Sequence, residues 1–214
     1  MTNKIVAIQG DNLKKLNPKT DTSLFLADSA QKLGYKIFYY EPHDLSVIKN
    51  KVTAKGYFVE INYNSKKLIQ KIKEKTLNLN NAKFILIRQD PPFNNEYIST
   101  TYILETISYK VKILNNPTSI RNISEKLYSL NFSKFMPNTI FTKRIDDSCD
   151  FFKKNKKIII KPIHGYGGND IHMIKNKFNK YLISKFIKKH GHIVCQKFLE
   201  KIKFGDKRVF IINT

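Results

Sequence analysis

The sequence predicts an α/β protein in two parts, a parallel α/β unit over residues 1–122 and an α+β unit over residues 123–214. Three observations predict this. Short apolar strands alternate with helix-patterned segments through roughly the first 120 residues. Beyond Asn122 that regular alternation gives way to a different texture. Within the second part, the β-branched run Ile158-Ile159-Ile160 ends in Lys161 and opens into a loop that carries Gly165, Gly167 and Gly168.

Residues 5–9 read as a first buried strand. Asp21 or Thr22 can cap a helix running through Leu33, with Leu26, Ala27, Ala30 and Leu33 as its apolar positions and a stop at Gly34. Residues 36–40 and 84–87 are strands, and Arg88-Gln89-Asp90-Pro91-Pro92-Phe93 breaks the second of them. Residues 96–109 have a helical pattern and 111–114 return to strand. In the second part, Ser124 opens a short helix through Phe132. Strand 139–142, helix 148–155 and strand 157–161 follow. After the glycine loop come strand 171–175 and a helix with Phe178, Tyr181, Leu182, Phe186 and Ile187 on one core face. Residues 192–198 and 208–212 are the last two strands.

A strand that ends in lysine before a glycine loop suits an anion. The strand fixes the ammonium, and glycines let backbone N–H groups approach closely. The loop is not a Walker A motif, because no Gly-Lys-Ser/Thr opens a helix after it. It is not a dinucleotide fingerprint either, because the lysine precedes the glycines and the chain runs on into Ile171-His172-Met173-Ile174. Taken alone, a glycine-rich hairpin with a chance lysine explains it equally well.

The formal charge of +22 raises the question of nucleic acid. Only Arg88, Arg121, Arg144 and Arg208 among the 39 basic residues are arginine, leaving 35 lysines. Arginine is the usual base-edge reader and phosphate fork. The lysines are spread along the chain beside many Asn and Ile residues, which is a compositional bias and not a footprint. No specific nucleic-acid partner is expected. The densest run, Lys153-Lys154-Asn155-Lys156-Lys157, falls at an expected helix C-terminus, where cations are favourable without a partner. No apolar run nears the ~20 residues that span a bilayer, and the N-terminus is too short in apolar residues for a signal peptide. The expectations are no membrane partner, a cytoplasmic location and reduced, inert thiols at Cys149 and Cys195. The five histidines supply no metal-ligand spacing.

Together the motifs resemble the ATP-grasp ligases, and within them the bacterial glutathione synthetases. The resemblance runs over nearly the whole chain. It is carried by Lys19-Thr20-Asp21-Thr22-Ser23, the Arg88–Phe93 turn and Tyr97-Ile98-Ser99-Thr100-Thr101-Tyr102-Ile103-Leu104-Glu105. Further on it is carried by Asn115-Asn116-Pro117, Ser119-Ile120-Arg121, Glu125-Lys126-Leu127, Ile160-Lys161-Pro162, Gly165-Tyr166-Gly167-Gly168 and Gly205-Asp206-Lys207-Arg208. The Asp-Pro-Pro-Phe turn and the Thr-Tyr-Ile-Leu-Glu helix are more specific to the subfamily than the lysines and glycines.

The resemblance implies a pre-ATP-grasp substrate-binding domain followed by the first part of an ATP-grasp domain. It implies that ATP phosphorylates the C-terminal carboxylate of γ-glutamylcysteine and that glycine attacks the acyl phosphate, giving glutathione, ADP and phosphate. Lys126 and Lys161 would bind the phosphates under Gly165, Tyr166, Gly167 and Gly168. Gln196, Lys197, Phe198 and Leu199 would line the adenine, Asp206 would make a nucleotide or magnesium-linked contact, and Arg208 would offer a fork to the reacting carboxylate or acyl phosphate. Arg88 would contact the peptide substrate, and Gln89 replaces the family's usual lysine. No metal ligand is assigned in this chain. Mg2+ is an expected cofactor beside ATP, with ligands in the second half of the ATP-grasp domain, beyond Thr214. The chain is therefore expected to be a truncated or split form, with self-association or a complementing C-terminal piece as partner. The alternatives are a non-catalytic ATP-binding chain or another ATP-grasp carboxylate–amine ligase. A basic nucleic-acid-binding protein ranks last.

Overall fold

The computed structural model describes residues 4–65, 67–207 and 209, and divides the chain into two compact units, Met1–Ser124 and Glu125–Thr214. The first unit holds strands β1 (Ile5–Gln9), β2 (Lys36–Tyr40), β3 (Leu45–Ile48), β4 (Lys51–Ile61), β5 (Ile69–Asn78), β6 (Phe84–Ile87) and β7 (Lys112–Leu114). Its helices are α1 (Thr22–Lys32), α2 (Asn95–Glu105) and α3 (Pro117–Asn122). Strands β2, β1, β6 and β7 lie side by side and parallel. The sheet is nonetheless mixed, because β4 joins β2 antiparallel and carries β3 and β5. Residues 41–83 had no sequence-based assignment. Strand β5 explains why: it reads Ile-Gln-Lys-Ile-Lys-Glu-Lys-Thr-Leu-Asn and is mostly exposed. Lysines on an edge strand erase the apolar alternation while they discourage edge-to-edge pairing.

Side-chain alternation sorts the core onto the two faces of this sheet. Ala7, Phe38, Tyr40, Ile85 and Ile87 pack with Leu104 of α2 on one face. Val6, Ile8, Ile37 and Tyr39 pack with Leu24 and Ala27 of α1 on the other. Asp21 caps α1 by accepting from the Ser23 and Leu24 amides. Its buried stripe is Ser23, Leu24 and Ala27, which corrects the expected face, since Leu26 and Leu33 are exposed. Leu24 and Ala27 pack against the sheet, and Leu26 falls about a half-turn away from Leu24, on the side of solvent. Helix α2 stops at Glu105, short of the expected Tyr109, and residues 106–110 form turns.

The second unit holds α4 (Glu125–Tyr128), β8 (Thr139–Thr142), α5 (Ile145–Asn155), β9 (Ile158–Pro162), β10 (His172–Ile174), α6 (Lys180–His190) and β11 (Ile193–Lys197). Its antiparallel sheet runs β10-β9-β11-β8. Ile158, Ile160, Ile174, Ile193 and Cys195 point to one face, where Phe151, Phe152, Ile183, Phe186 and Ile187 of α5 and α6 cover them. Tyr181 was expected on that face but is 77% exposed, and Ile183 takes its place. The expected strand at 208–212 lies outside the described residues apart from Val209. Among the described residues, no helix is long and apolar enough to cross a membrane.

Candidate functional site

Two clefts of opposite charge stand out, one in each unit. The basic one follows β9. Lys161 sits near the end of this strand and the loop at 163–171 leaves directly after it. Gly167 and Gly168 adopt φ of +59° and +75°, a backbone that side chains resist. A Cβ on Gly165 would come within 2.4 Å of the Pro162 ring, so the loop can fold back over its strand only with glycine there. Lys126, from α4, donates its ammonium to the carbonyls of Ile163 (3.1 Å) and Gly165 (2.6 Å). Asp170 anchors the far side of the loop to the last turn of α6 through Lys189 at 2.7 Å. Lys126, Lys161 and residues 165–169 surround a cleft of about 220 Å³. Burial first, and then the Lys126 charge, holds the Lys161 ammonium below the usual lysine range.

The other residues singled out from sequence lie beside this cleft or away from it. Gln196 accepts from Lys161 at 3.0 Å. Lys197 is exposed, and its backbone N–H already donates to Asn138. The Phe198 N–H donates to the Lys157 carbonyl, and the Lys157 ammonium lies 4.1 Å from the Phe198 ring centre. Leu199 is largely exposed at the head of a 3-10 turn, Glu200–Phe204. Asp206 is exposed beyond that turn. None of Gln196, Lys197, Phe198, Leu199 or Asp206 lines the 220 Å³ cleft. Arg208 lies outside the described residues.

The acidic cleft belongs to the first unit, at the carboxyl ends of its parallel strands, where open α/β sheets bind ligands. Asp11 follows β1, Glu41 follows β2 and Asp90 follows β6. With Asp21 they line a cleft of about 490 Å³, next to a second cavity of about 240 Å³ that adds Gln89 and Tyr97. The Asp90 N–H donates to Asp11 at 2.8 Å, and Asn12 donates to Glu41 at 3.0 Å. Burial, then Asp11 and Asp21, push the Asp90 carboxyl above the usual aspartate range, against a smaller pull from Arg88. Arg88 is held at the start of α1 by donating to Thr22 (2.6 Å) and Ser23 (3.2 Å). Gln89 accepts from the buried Gln9 side chain. Sequence reading did not assemble Asp11, Asp21, Glu41 and Asp90. The available signal was their place in the loops behind parallel strands.

Among the described residues no three His, Cys, Asp or Glu side chains form a group that could hold a metal ion. Cys195 is fully buried and burial pushes its thiol up, as in an inert core residue, while Cys149 is half-buried.

Comparison with known proteins matches residues 5–121 to the model of the prokaryotic glutathione synthetase N-terminal domain and residues 125–214 to that of the prokaryotic glutathione synthetase ATP-grasp domain. A glutathione synthetase of Buchnera aphidicola subsp. Schizaphis graminum is 34% identical over 97% of this chain and 66% of its own length. The glutathione synthetase of Escherichia coli K12 is 35% identical over 95% of this chain and 66% of its own length. The chain thus spans about two thirds of the length of these relatives. Among solved structures, D-cycloserine synthetase DcsG superposes with a TM-score of 0.58 at 11% identity, over 92% of this chain and 60% of that one, which is a likeness of fold.

Proposed function

The chain belongs to the prokaryotic glutathione synthetase family, and on that premise we propose that it serves the ATP-dependent ligation of γ-glutamylcysteine to glycine through an acyl phosphate. The observation that carries this reading is the convergence of Lys126 and Lys161 on one glycine loop. Phosphoryl transfer needs mostly positioning and charge neutralisation. Lys161 is disfavoured in its charged form by burial and by its lysine neighbour, and a phosphate relieves both. Lys126 spends two of its three N–H groups on loop carbonyls and keeps one for a phosphate oxygen. Lys126 therefore ties the position of the loop to the ammonium that would meet the nucleotide.

In this proposal Gln196, Lys197, Phe198 and Leu199 run toward the adenine where β11 leaves the sheet, Asp206 contacts the nucleotide, and Arg208 meets the reacting carboxylate. The first unit takes the peptide. Arg88 offers its remaining guanidinium donors to a carboxylate. The Asp11–Glu41–Asp90 cleft suits an ammonium group. A γ-glutamyl residue carries both groups on one carbon, which fits a guanidinium beside an acidic cleft.

Backbone NMR titration of the chain tests the assignment. ATP is expected to shift the amides of 161–168, and γ-glutamylcysteine those of Ser23, Arg88 and Asp90. Binding of ATP without perturbation of the glycine loop would overturn it.

A further inference from the structure

We propose that Thr139 is a positioning residue that aims the Lys161 ammonium through the side-chain amide of Gln196. The inference rests on reading the glycine-loop cleft as a phosphate site. It adds a residue that touches neither the cleft nor the loop.

Strand register sets the arrangement. Lys161 stands opposite Val194 on β11, and Gln196, two residues further on, stands opposite Thr139 on β8. Residues directly opposite each other, and residues two apart on one strand, share a face. Lys161, Val194, Gln196 and Thr139 therefore lie on one face of the sheet. The other face, with Ile160, Ile193 and Cys195, is closed by α5 and α6. A polar row thus crosses three strands on the side away from the apolar core.

The row has only one consistent direction. The Thr139 hydroxyl has a single proton, and it donates that proton to the Pro137 carbonyl at 2.7 Å. Toward Gln196 it can then only accept, and it does so from Nε2 at 2.7 Å. The amide oxygen must face the other way, and there it accepts from Lys161 Nζ at 3.0 Å. A flipped amide would set its NH2 against an ammonium and its oxygen against a hydroxyl already committed elsewhere. Both ends of the row oppose the flip. One ammonium N–H is fixed in this way, and the other two are left for a ligand in the cleft that Lys161 lines. Holding a flexible lysine before the ligand arrives lowers the ordering cost of binding.

The test compares Thr139→Val, Thr139→Ser and Gln196→Met in the full chain, with ATP and adenosine titrated separately by calorimetry and folding checked by thermal melts. Valine keeps the shape of threonine without its hydroxyl. Thr139→Val is expected to weaken ATP about fivefold, the loss of one neutral hydrogen bond, and Gln196→Met about tenfold. Thr139→Ser should restore wild-type affinity, and adenosine should bind the wild type and both Thr139 variants alike, because only the phosphates meet Lys161. A general packing defect would instead lower ATP and adenosine together and would overturn the inference. Unchanged ATP affinity in a folded Thr139→Val, beside a wild type that binds ATP, would overturn it while leaving the phosphate site standing. A wild type that binds no ATP would overturn both.

Discussion

The two clefts make opposite use of one composition. In a chain of net charge +22 with 17 acidic residues, four of the acids meet behind the parallel strands of the first unit. The glycine-loop cleft of the second unit instead draws on the lysine excess, but it selects Lys126 and Lys161 and leaves most other lysines in solvent. Overall charge therefore says little about what either cleft binds. Backbone placement sets the sign of each. Strand ends bring together carboxylates that are 79 residues apart in the case of Asp11 and Asp90. A strand and its following loop hold the lysines.

The largest expected effect comes from reversing the sign of the basic cleft. Lys161→Glu should weaken ATP by more than about a hundredfold, since it removes a charge-assisted bond of about 1.5–3 kcal/mol and adds a repulsion. Binding of γ-glutamylcysteine should be unchanged. A fluorescent nucleotide displacement assay reads the first and calorimetry the second. Next in size, Asp11→Asn should weaken γ-glutamylcysteine by about tenfold, the loss of one charge-assisted contact, and leave ATP untouched. Asparagine keeps the acceptor oxygen for the Asp90 N–H, so a folded variant is expected. Equal loss of both ligands would erase the distinction between the clefts.

The pH dependence separates the clefts further. The Lys161 ammonium titrates below the ordinary lysine range because of burial and Lys126. The phosphate contact proposed for it is expected below that lowered pKa and should fade as pH rises through it. ATP affinity measured across alkaline pH should decline earlier than an exposed lysine would allow, and this component should vanish in Lys161→Ala. The same shift has the opposite sign for folding: the unfolded chain keeps the proton longer, so this group adds stability as pH rises through the window just below 10.5. The smallest effect concerns Asp90. Its folded carboxyl pKa is raised above 3.8, so its contribution is favourable below that value and is lost as pH rises through the folded pKa. Asp90→Asn should raise the thermal midpoint slightly at neutral pH and lose that gain in acid.

How much the sequence discloses follows from the same contrast. The basic cleft was legible because its chemistry is local: Lys161 and three glycines fall within eight residues of one strand end and loop. Strands β1, β2, β6 and β9 were legible as apolar runs with clear breaks. The acidic cleft was not, because the order β2-β1-β6 alone makes neighbours of Asp11, Glu41 and Asp90. The row Thr139–Gln196–Lys161 was hidden likewise, since it depends on the register of β8, β11 and β9. Strand β5 escaped because edge lysines replace the apolar alternation, and Leu26, Leu33 and Tyr181 were misplaced because packing against the sheet, not the richest apolar spacing, decides which helix face is buried.

The central claim is that the glycine-loop cleft takes the phosphates of ATP while the first unit takes the peptide. The most direct test titrates ATP and γ-glutamylcysteine by calorimetry into wild type, Lys161→Ala and Arg88→Ala. Lys161→Ala should lose roughly 1.5–3 kcal/mol of ATP binding and none of peptide binding, and Arg88→Ala the reverse. A folded Lys161→Ala that binds ATP as tightly as wild type would contradict the claim.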